Sequence, residues 1–232
     1  VKRKILPALG LSFLFSLPLH AAPEEEPKPA ATAPDSPAAA ARKAFEAEKF
    51  DEAVALATPL AEKGDPDAFY LLGFAHETGK GAEASREKAI EYYRKGLAKD
   101  HSDSIYRLAF LLMASKDKTE VLEALAILEK QALADPAIGA RILGEAFLLG
   151  RFGDKPDSEK AISWWEKAAA AKDVPSMLFL ARLHDGQMGF PELRDPAKAF
   201  DCFKRASDEG NTGAMVAAAS RMLYGDKAFR DE

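Results

Sequence analysis

Few residues in this chain could do chemistry. Beyond His20 near the amino terminus there are three histidines, His76, His101 and His184, and one cysteine, Cys202. His76 and His184 are each followed by an acid, Glu77 and Asp185, a pairing that keeps a weak zinc-site option open. The two pairs lie 108 residues apart, too far to share one ion on an elongated scaffold. No cysteine pair has metal-ligand spacing, no serine sits in a nucleophile elbow, and no Gly-Lys-Ser/Thr loop is present. Gly79-Lys80-Gly81 reads as a turn, because the other glycines and the following hydroxyl of a phosphate loop are missing. No catalytic, cofactor or metal residues are expected. The adjacent Trp164 and Trp165 in "SEKAISWWEKAAA" could line a ligand site or form one layer of a recurring core.

The elements that hold these residues decide between the two. "KAIEYYRKGLAKD" (88–100), "EALAILEKQALAD" (123–135), "KAISWWEKAAAAK" (160–172) and "KAFDCFKRASDEG" (198–210) align, with Ala89, Ala124, Ala161 and Ala199 in one column at spacings of 35, 37 and 38 residues. Ala53 precedes Ala89 by 36. At about 100° per residue, Ala161, Ile162, Trp164, Trp165, Ala168 and Ala169 cover an apolar arc of roughly 160°. Trp165 lies near its centre and Trp164 at its edge, so one should plug the core while the other reaches toward a neighbouring helix. A preceding helix also recurs, marked by Leu72-Gly73, Leu108-Ala109, Leu143-Gly144, Leu180-Ala181 and Ala218-Ala219. Small residues there are expected to let helix backbones approach closely. Gly79, Gly150 and Gly225 fall where a glycine ends a helix at little cost, and Asp65-Pro66, Asp135-Pro136 and Asp195-Pro196 mark helix starts.

"AFYLLGFAHETGKGAEASREKAIEYYRKGLAKD" resembles a Sel-one-like repeat, the longer cousin of the tetratricopeptide repeat. Ala68, Leu72, Gly73, Gly79, Gly81, Lys88, Ala89, Tyr93 and Lys95 carry the likeness, and so do Leu143, Gly144, Gly150, Asp157, Lys160, Ala161, Trp164, Trp165, Lys167, Ala168 and Ala169. The resemblance implies an all-α fold, a right-handed α-α superhelix of about four to five helical hairpins, whose first helices line a concave face that binds a protein or peptide. Two first-helix columns change type from repeat to repeat: Phe74, Phe110, Glu145, Arg182, Ser220, and Tyr70, Tyr106, Arg141, Leu178, Val216. Of these, Tyr70, Phe74, Tyr106, Phe110, Arg141, Glu145 and Arg182 are the candidate contact residues, aromatic and arginine side chains being favoured in interface hot spots. Phe74 and Phe110 could equally pack between neighbouring helices.

The sequence also departs from the repeat pattern. Ser115 replaces the glycine and shortens the turn near 104–135, so that repeat should be distorted. The segment before Gly64, with Phe45 and Phe50, is more like a plain tetratricopeptide unit, and Pro59 should kink its second helix. The final repeat leaves Met215, Met222, Leu223 and Tyr224 without a covering helix, an apolar edge to be paired with another chain or covered by Phe229.

The rest concerns location and partners. Residues 1–22 read as a signal peptide, with Lys2-Arg3-Lys4, an apolar run broken by Pro7, Gly10 and Pro18, and small residues at Ala21 and Ala22. Residues 23–37 form a Pro/Ala/Glu-rich linker too polar to fold, and 38–228 the repeat domain. The expected protein is exported, periplasmic or secreted, and has no stable membrane span once the signal is removed. A formal charge of −5 argues against a nucleic-acid partner. With a single cysteine, stability must come from packing. The composite expectation is an exported bacterial, non-enzymatic scaffold for another protein or peptide, with self-association possible through the carboxy-terminal edge. The alternatives are a peptidoglycan- or glycan-binding protein and a hydrolase of the β-lactamase-like cysteine-rich repeat type, whose paired cysteines this chain lacks.

Overall fold

The computed structural model describes residues 38–224, with the side chain of Tyr224 excepted. The expected signal peptide and linker, the Gly225 turn and Phe229 lie outside the described residues. Those described form eleven helices and no strand: α1 (Ala39–Glu46), α2 (Phe50–Glu62), α3 (Pro66–Thr78), α4 (Arg86–Leu97), α5 (Ser102–Met113), α6 (Lys118–Ala134), α7 (Pro136–Leu148), α8 (Ser158–Ala170), α9 (Val174–His184), α10 (Pro196–Asp208) and α11 (Thr212–Tyr224). Each helix packs on the next in sequence, which makes a solenoid of five hairpins, α1/α2 to α9/α10, followed by the single helix α11. On one side α3 also touches α1 and α5, so successive first helices meet directly there.

From α3 onward, the helices start where a side chain can satisfy free N–H groups. Asp65 accepts from the Ala68 amide at 3.0 Å, Asp135 from Ile138 at 3.4 Å and Asp195 from Lys198 at 3.1 Å, as the Asp-Pro pairs imply. Asp117, Asp157 and Asp173 cap α6, α8 and α9 in the same way. At four of the five junctions that follow a hairpin, a residue in the left-handed region turns the chain, and the next cap residue donates its N–H back to the preceding helix. Such residues are Gly64, Asp100, Lys172 and Gly210, at φ 84°, 53°, 66° and 89°. The return bonds are Asp65 to Leu60, His101 to Gly96, Asp173 to Ala168 and Asn211 to Ala206, at 3.0–3.1 Å.

Core packing follows the repeat columns. Ala53, Ala89, Ala124, Ala161 and Ala199 are all buried, and so is the plug column Tyr93, Leu128, Trp165 and Phe203. Trp165 is wholly enclosed and stacks on Phe179 at 5.1 Å, while Trp164 is half-buried with Lys167 Nζ 3.7 Å from its ring centroid. The small residue after each leucine has a different use from the one expected. Gly73 and Gly144 seat a ring from the second helix of the same hairpin: a Cβ on Gly73 would lie 2.5 Å from Tyr93 Cε1, and one on Gly144 would collide with the Trp165 indole. Close backbone approach occurs instead at Gly139, where a Cβ would sit 2.5 Å from the Ala132 nitrogen of the preceding hairpin; Ala68, Ser104, Ser176 and Ala214, in the same column, are buried.

The hairpin α5/α6 is distorted, as Ser115 suggests. Its internal turn, 114–117, is shorter than 79–85, 149–157 and 185–195, and α6 has 17 residues where the other second helices have 12 or 13. Helix α2 continues through Pro59, which is exposed.

Candidate functional site

Along the first-helix face, the structure separates residues that the two variable columns placed together. Tyr70 is corrected from exposed to core: it is 6% exposed, with ring centroids 6.2 Å from Tyr93 and 5.7 Å from His101. Its burial pushes the phenol above its ordinary pKa. The side chain that covers it comes from the start of α5, and no property of residue 70 announces that. Phe74 is half-buried, edge-on to Phe45 at 4.9 Å and beneath the Arg107 guanidinium at 5.2 Å, so it packs between helices. Phe110, in the same column, is 45% exposed. Tyr106 is half-buried; burial first, and then the Asp135 charge, push its hydroxyl up to about 12.

The charged members of the columns lie farther along. Arg141 sits 3.4 Å from Glu145 and 3.5 Å from Asp173, joining α7 to the cap of α9. Burial holds the Glu145 carboxyl above the usual carboxylate range, against the Arg141 charge. Arg182 is half-buried, and no side-chain partner for it is found among the described residues. The face therefore changes along the solenoid: an aromatic, largely filled stretch on α3, an exposed ring on α5, a neutralised pair on α7 and an unengaged guanidinium on α9.

Sequence reasoning missed two clusters beneath this face. Arg42 on α1 meets Asp67 on α3 at 2.6 Å, and Asp67 accepts from His101 Nε2 at 3.2 Å. His101 Nδ1 accepts from the Ser104 amide at 3.3 Å, so the ring caps α5 with one nitrogen and ties it to α3 with the other. Burial would raise the Asp67 pKa, but the His101 hydrogen bond and the Arg42 charge override it and hold the carboxyl below its ordinary 3.8. In the second cluster, Glu77 accepts from the Tyr93 hydroxyl at 2.6 Å and lies 3.6 Å from Arg107. The available signal was the acid at the second helical position of α3, where a surface helix has no need of a buried charge.

The two His-acid pairs are structural. His76 Nδ1 donates to the Glu83 carbonyl at 2.8 Å, and His184 Nδ1 to the Leu193 carbonyl at 3.0 Å. The backbone carbonyls of the same residues accept from Ser85 and Asp195, each at 2.8 Å. Each histidine thus ties down the turn that follows its own helix. Their acids pair away from them, Glu77 with Arg107 and Asp185 with Arg221 at 2.5 Å. No group of three or more His, Cys, Asp or Glu able to hold a metal ion occurs among the described residues. Cys202 is buried, and burial pushes its thiol up to about 11, unsuited to nucleophilic chemistry. No helix of the described residues is long and apolar enough to cross a membrane.

The seated rings, the alanine column and the turn bonds recur in the segments that match the Sel1 repeat: residues 66–101, 137–173 and 174–211. This is a Sel1 repeat protein. The unmatched stretch between the first two segments contains the distorted hairpin α5/α6. The solved Sel1 repeat protein from Oxalobacter formigenes superposes with a TM-score of 0.59 at 21% identity, covering 85% of this chain and 82% of that one. The antigen c5321 of uropathogenic Escherichia coli, which displays the same repeat fold, superposes with a TM-score of 0.56 at 20% identity, over 81% of this chain and 41% of that one. In sequence, the chain is similar to chitin synthase regulatory factor 3 of Schizosaccharomyces pombe, 27% identical over 155 residues, or 65% of this chain. It spans 17% of that protein's length. The solved structures bear on the fold alone. Sel1 repeats mediate protein–protein interaction, so the Sel1 repeat domain is an interaction scaffold.

Proposed function

We propose that this Sel1 repeat protein is exported and works in or beyond the bacterial cell envelope as a non-catalytic adaptor, holding a partner protein or peptide against the first-helix face between α5 and α9. The observation that carries this reading is the exposed ring of Phe110 on the same helical column as the unengaged Arg182. An aromatic anchor and a guanidinium without a side-chain partner among the described residues are the kind of side chains that contribute most when an interface closes over them. Half-buried Tyr106 lies between core and surface, and Arg141 and Glu145 form a neutral floor. The export step rests on the basic start, apolar run and small residues of 1–22. A glycan-binding role would call for presented tryptophans, and Trp165 is inside the core. A hydrolase role would call for a free base, and His76 and His184 are both committed to turns.

The test is photo-cross-linking in cells that make the full chain, with the cross-linking residue at position 110 or 182 and, as control, at exposed position 133. Adducts of a defined second protein from 110 and 182, lost in the Phe110→Ala, Arg182→Ala double variant, are the expected result. Equal adducts from 133 would overturn the proposed face. Retention of the full-length chain in the cytoplasmic fraction would overturn export.

A further inference from the structure

The first helix α11 has no second helix over it among the described residues. Ala219 occupies the column that seats Tyr93 and Trp165 of the second helices at Gly73 and Gly144, Met222 the column in which His76 stacks on Tyr92 of α4, and Met215 a column that is buried from α3 to α9. In the Met215 column, Phe69, Ile105, Ala140 and Met177 are 8%, 2%, 0% and 3% exposed, whereas Met215 is 52% exposed. Met222 is 56% exposed, and the adjoining Val216 and Leu223 are 66% and 65% exposed. These residues recur at intervals of three, four and seven and so make one stripe along the helix.

We propose that this stripe pairs antiparallel with the α11 stripe of a second copy of the chain, giving a dimer with a two-fold axis passing near Ala219. Three observations specify a second copy. First, α11 has the sequence character of both members of a hairpin. It has the first-helix columns just named, and Ala219-Ser220-Arg221-Met222-Leu223 repeats the second-helix pattern of an alanine followed at the third and fourth positions by two large residues, as in Ala89 with Tyr92-Tyr93, Ala124 with Ile127-Leu128 and Ala161 with Trp164-Trp165. One α11 can therefore lie against another as a second helix lies against its first, and consecutive helices of a hairpin are antiparallel, as a two-fold axis across the pair requires. Second, the stripe is neutral. Arg221, the one charged residue of α11, is drawn back onto Asp185 at 2.5 Å and lies over the Phe203 ring at 4.3 Å, so two copies meet without opposed like charges. Third, Ala219 and Ser220 at the centre are small enough for close helix approach. Four side chains of this size, each more than half exposed, present roughly 400 Å² per copy, about half of what a standard interface buries on each side. The dimer is accordingly weak and concentration-dependent.

Sedimentation of the full chain across a wide concentration range tests this directly. The expected result is a monomer–dimer equilibrium that the Met222→Glu, Leu223→Lys variant shifts fully to monomer with unchanged helical circular dichroism, and that Leu133→Glu on α6 leaves unaltered. Ala219→Cys should form an intermolecular disulfide on mild oxidation, and Leu133→Cys should not. Monomer at every concentration would overturn the proposal, and so would a dimer that survives the double substitution. An open ladder of higher oligomers would overturn the two-fold geometry, because an isologous pair uses up both faces.

Discussion

The hairpins α7/α8 and α5/α6 meet the same packing requirement by different means. In α7/α8, a nine-residue turn, 149–157, precedes a second helix of ordinary length, and a glycine seat at 144 receives the largest side chain available, Trp165. In α5/α6 the seat is Ala109 and the plug Leu128; the turn shrinks to 114–117, and α6 gains residues at both ends. Loop is exchanged for helix, and the interval between alanine columns, 35 residues from Ala89 to Ala124, stays close to the 36–38 of the others. The exit from α6 changes as well, since Asp135 both ends α6 and caps α7, with no left-handed residue between. A solenoid therefore constrains the spacing and depth of its plugs far more tightly than the route of the chain between them. The divergent hairpin also turns apolar side chains outward: Phe110 at 45%, Leu122 at 60% and Leu133 at 85% exposure.

Trp165→Ala is the harshest test of that contrast, with an expected loss of about 3–5 kcal/mol in urea unfolding, as for a fully buried ring that leaves a cavity. Leu128→Ala at the equivalent place should cost less, about 2–4 kcal/mol, because fewer atoms leave the seat. If the order is reversed, the two plugs are not equivalent.

Removing Asp67 should come next. Asp67→Ala removes the 2.6 Å carboxylate partner of the buried Arg42 and the hydrogen bond that ties His101 to α3, for an expected loss of about 3 kcal/mol. Its acid dependence has a definite sign. The folded-state pKa is lower than 3.8, so the folded chain binds fewer protons than the unfolded one near that pH. The stabilisation is present above the unfolded value and fades as pH falls through the folded one. Unfolding free energy measured below pH 4 should fall less steeply in Asp67→Asn than in wild type.

Gly144→Ala should cost about 1–3 kcal/mol by forcing the Trp165 ring aside, with a shift in indole emission. Ala109→Gly, which enlarges the seat of the divergent hairpin, should cost about 1 kcal/mol through helix propensity, with no such spectral change. The mildest effect belongs to Leu133→Glu, within about 0.5 kcal/mol because that side chain is already outside the core. A larger loss would mean that the exposed apolar residues of α6 are structural.

Much of this architecture was legible because the information is local and repeated. The alanine column, the plugs and the Asp-Pro starts each follow from helical periodicity and capping. The apolar edge on α11 followed from register, since Met215, Met222 and Leu223 fall on a first helix of the repeat. The use of the small residues was misjudged because a glycine in a helix signals close approach without saying what approaches: at 73 and 144 it is a ring, at 139 a backbone. The candidate face was read least well. Tyr70, Phe74, Tyr106 and Phe110 are alike in type and register, yet they range from core to surface.

By itself, the sequence determined the number, order and spacing of the hairpins, since each is set by side chains within a few turns of one another and confirmed by its sister repeats. Only the tertiary structure decided which members of a variable column are available to a partner. His101 closes over Tyr70, Arg107 over Phe74, and no ring or guanidinium is placed over Phe110 among the described residues. Availability depends on pairs of side chains roughly one repeat apart, and so on how neighbouring hairpins stack, which no single position encodes.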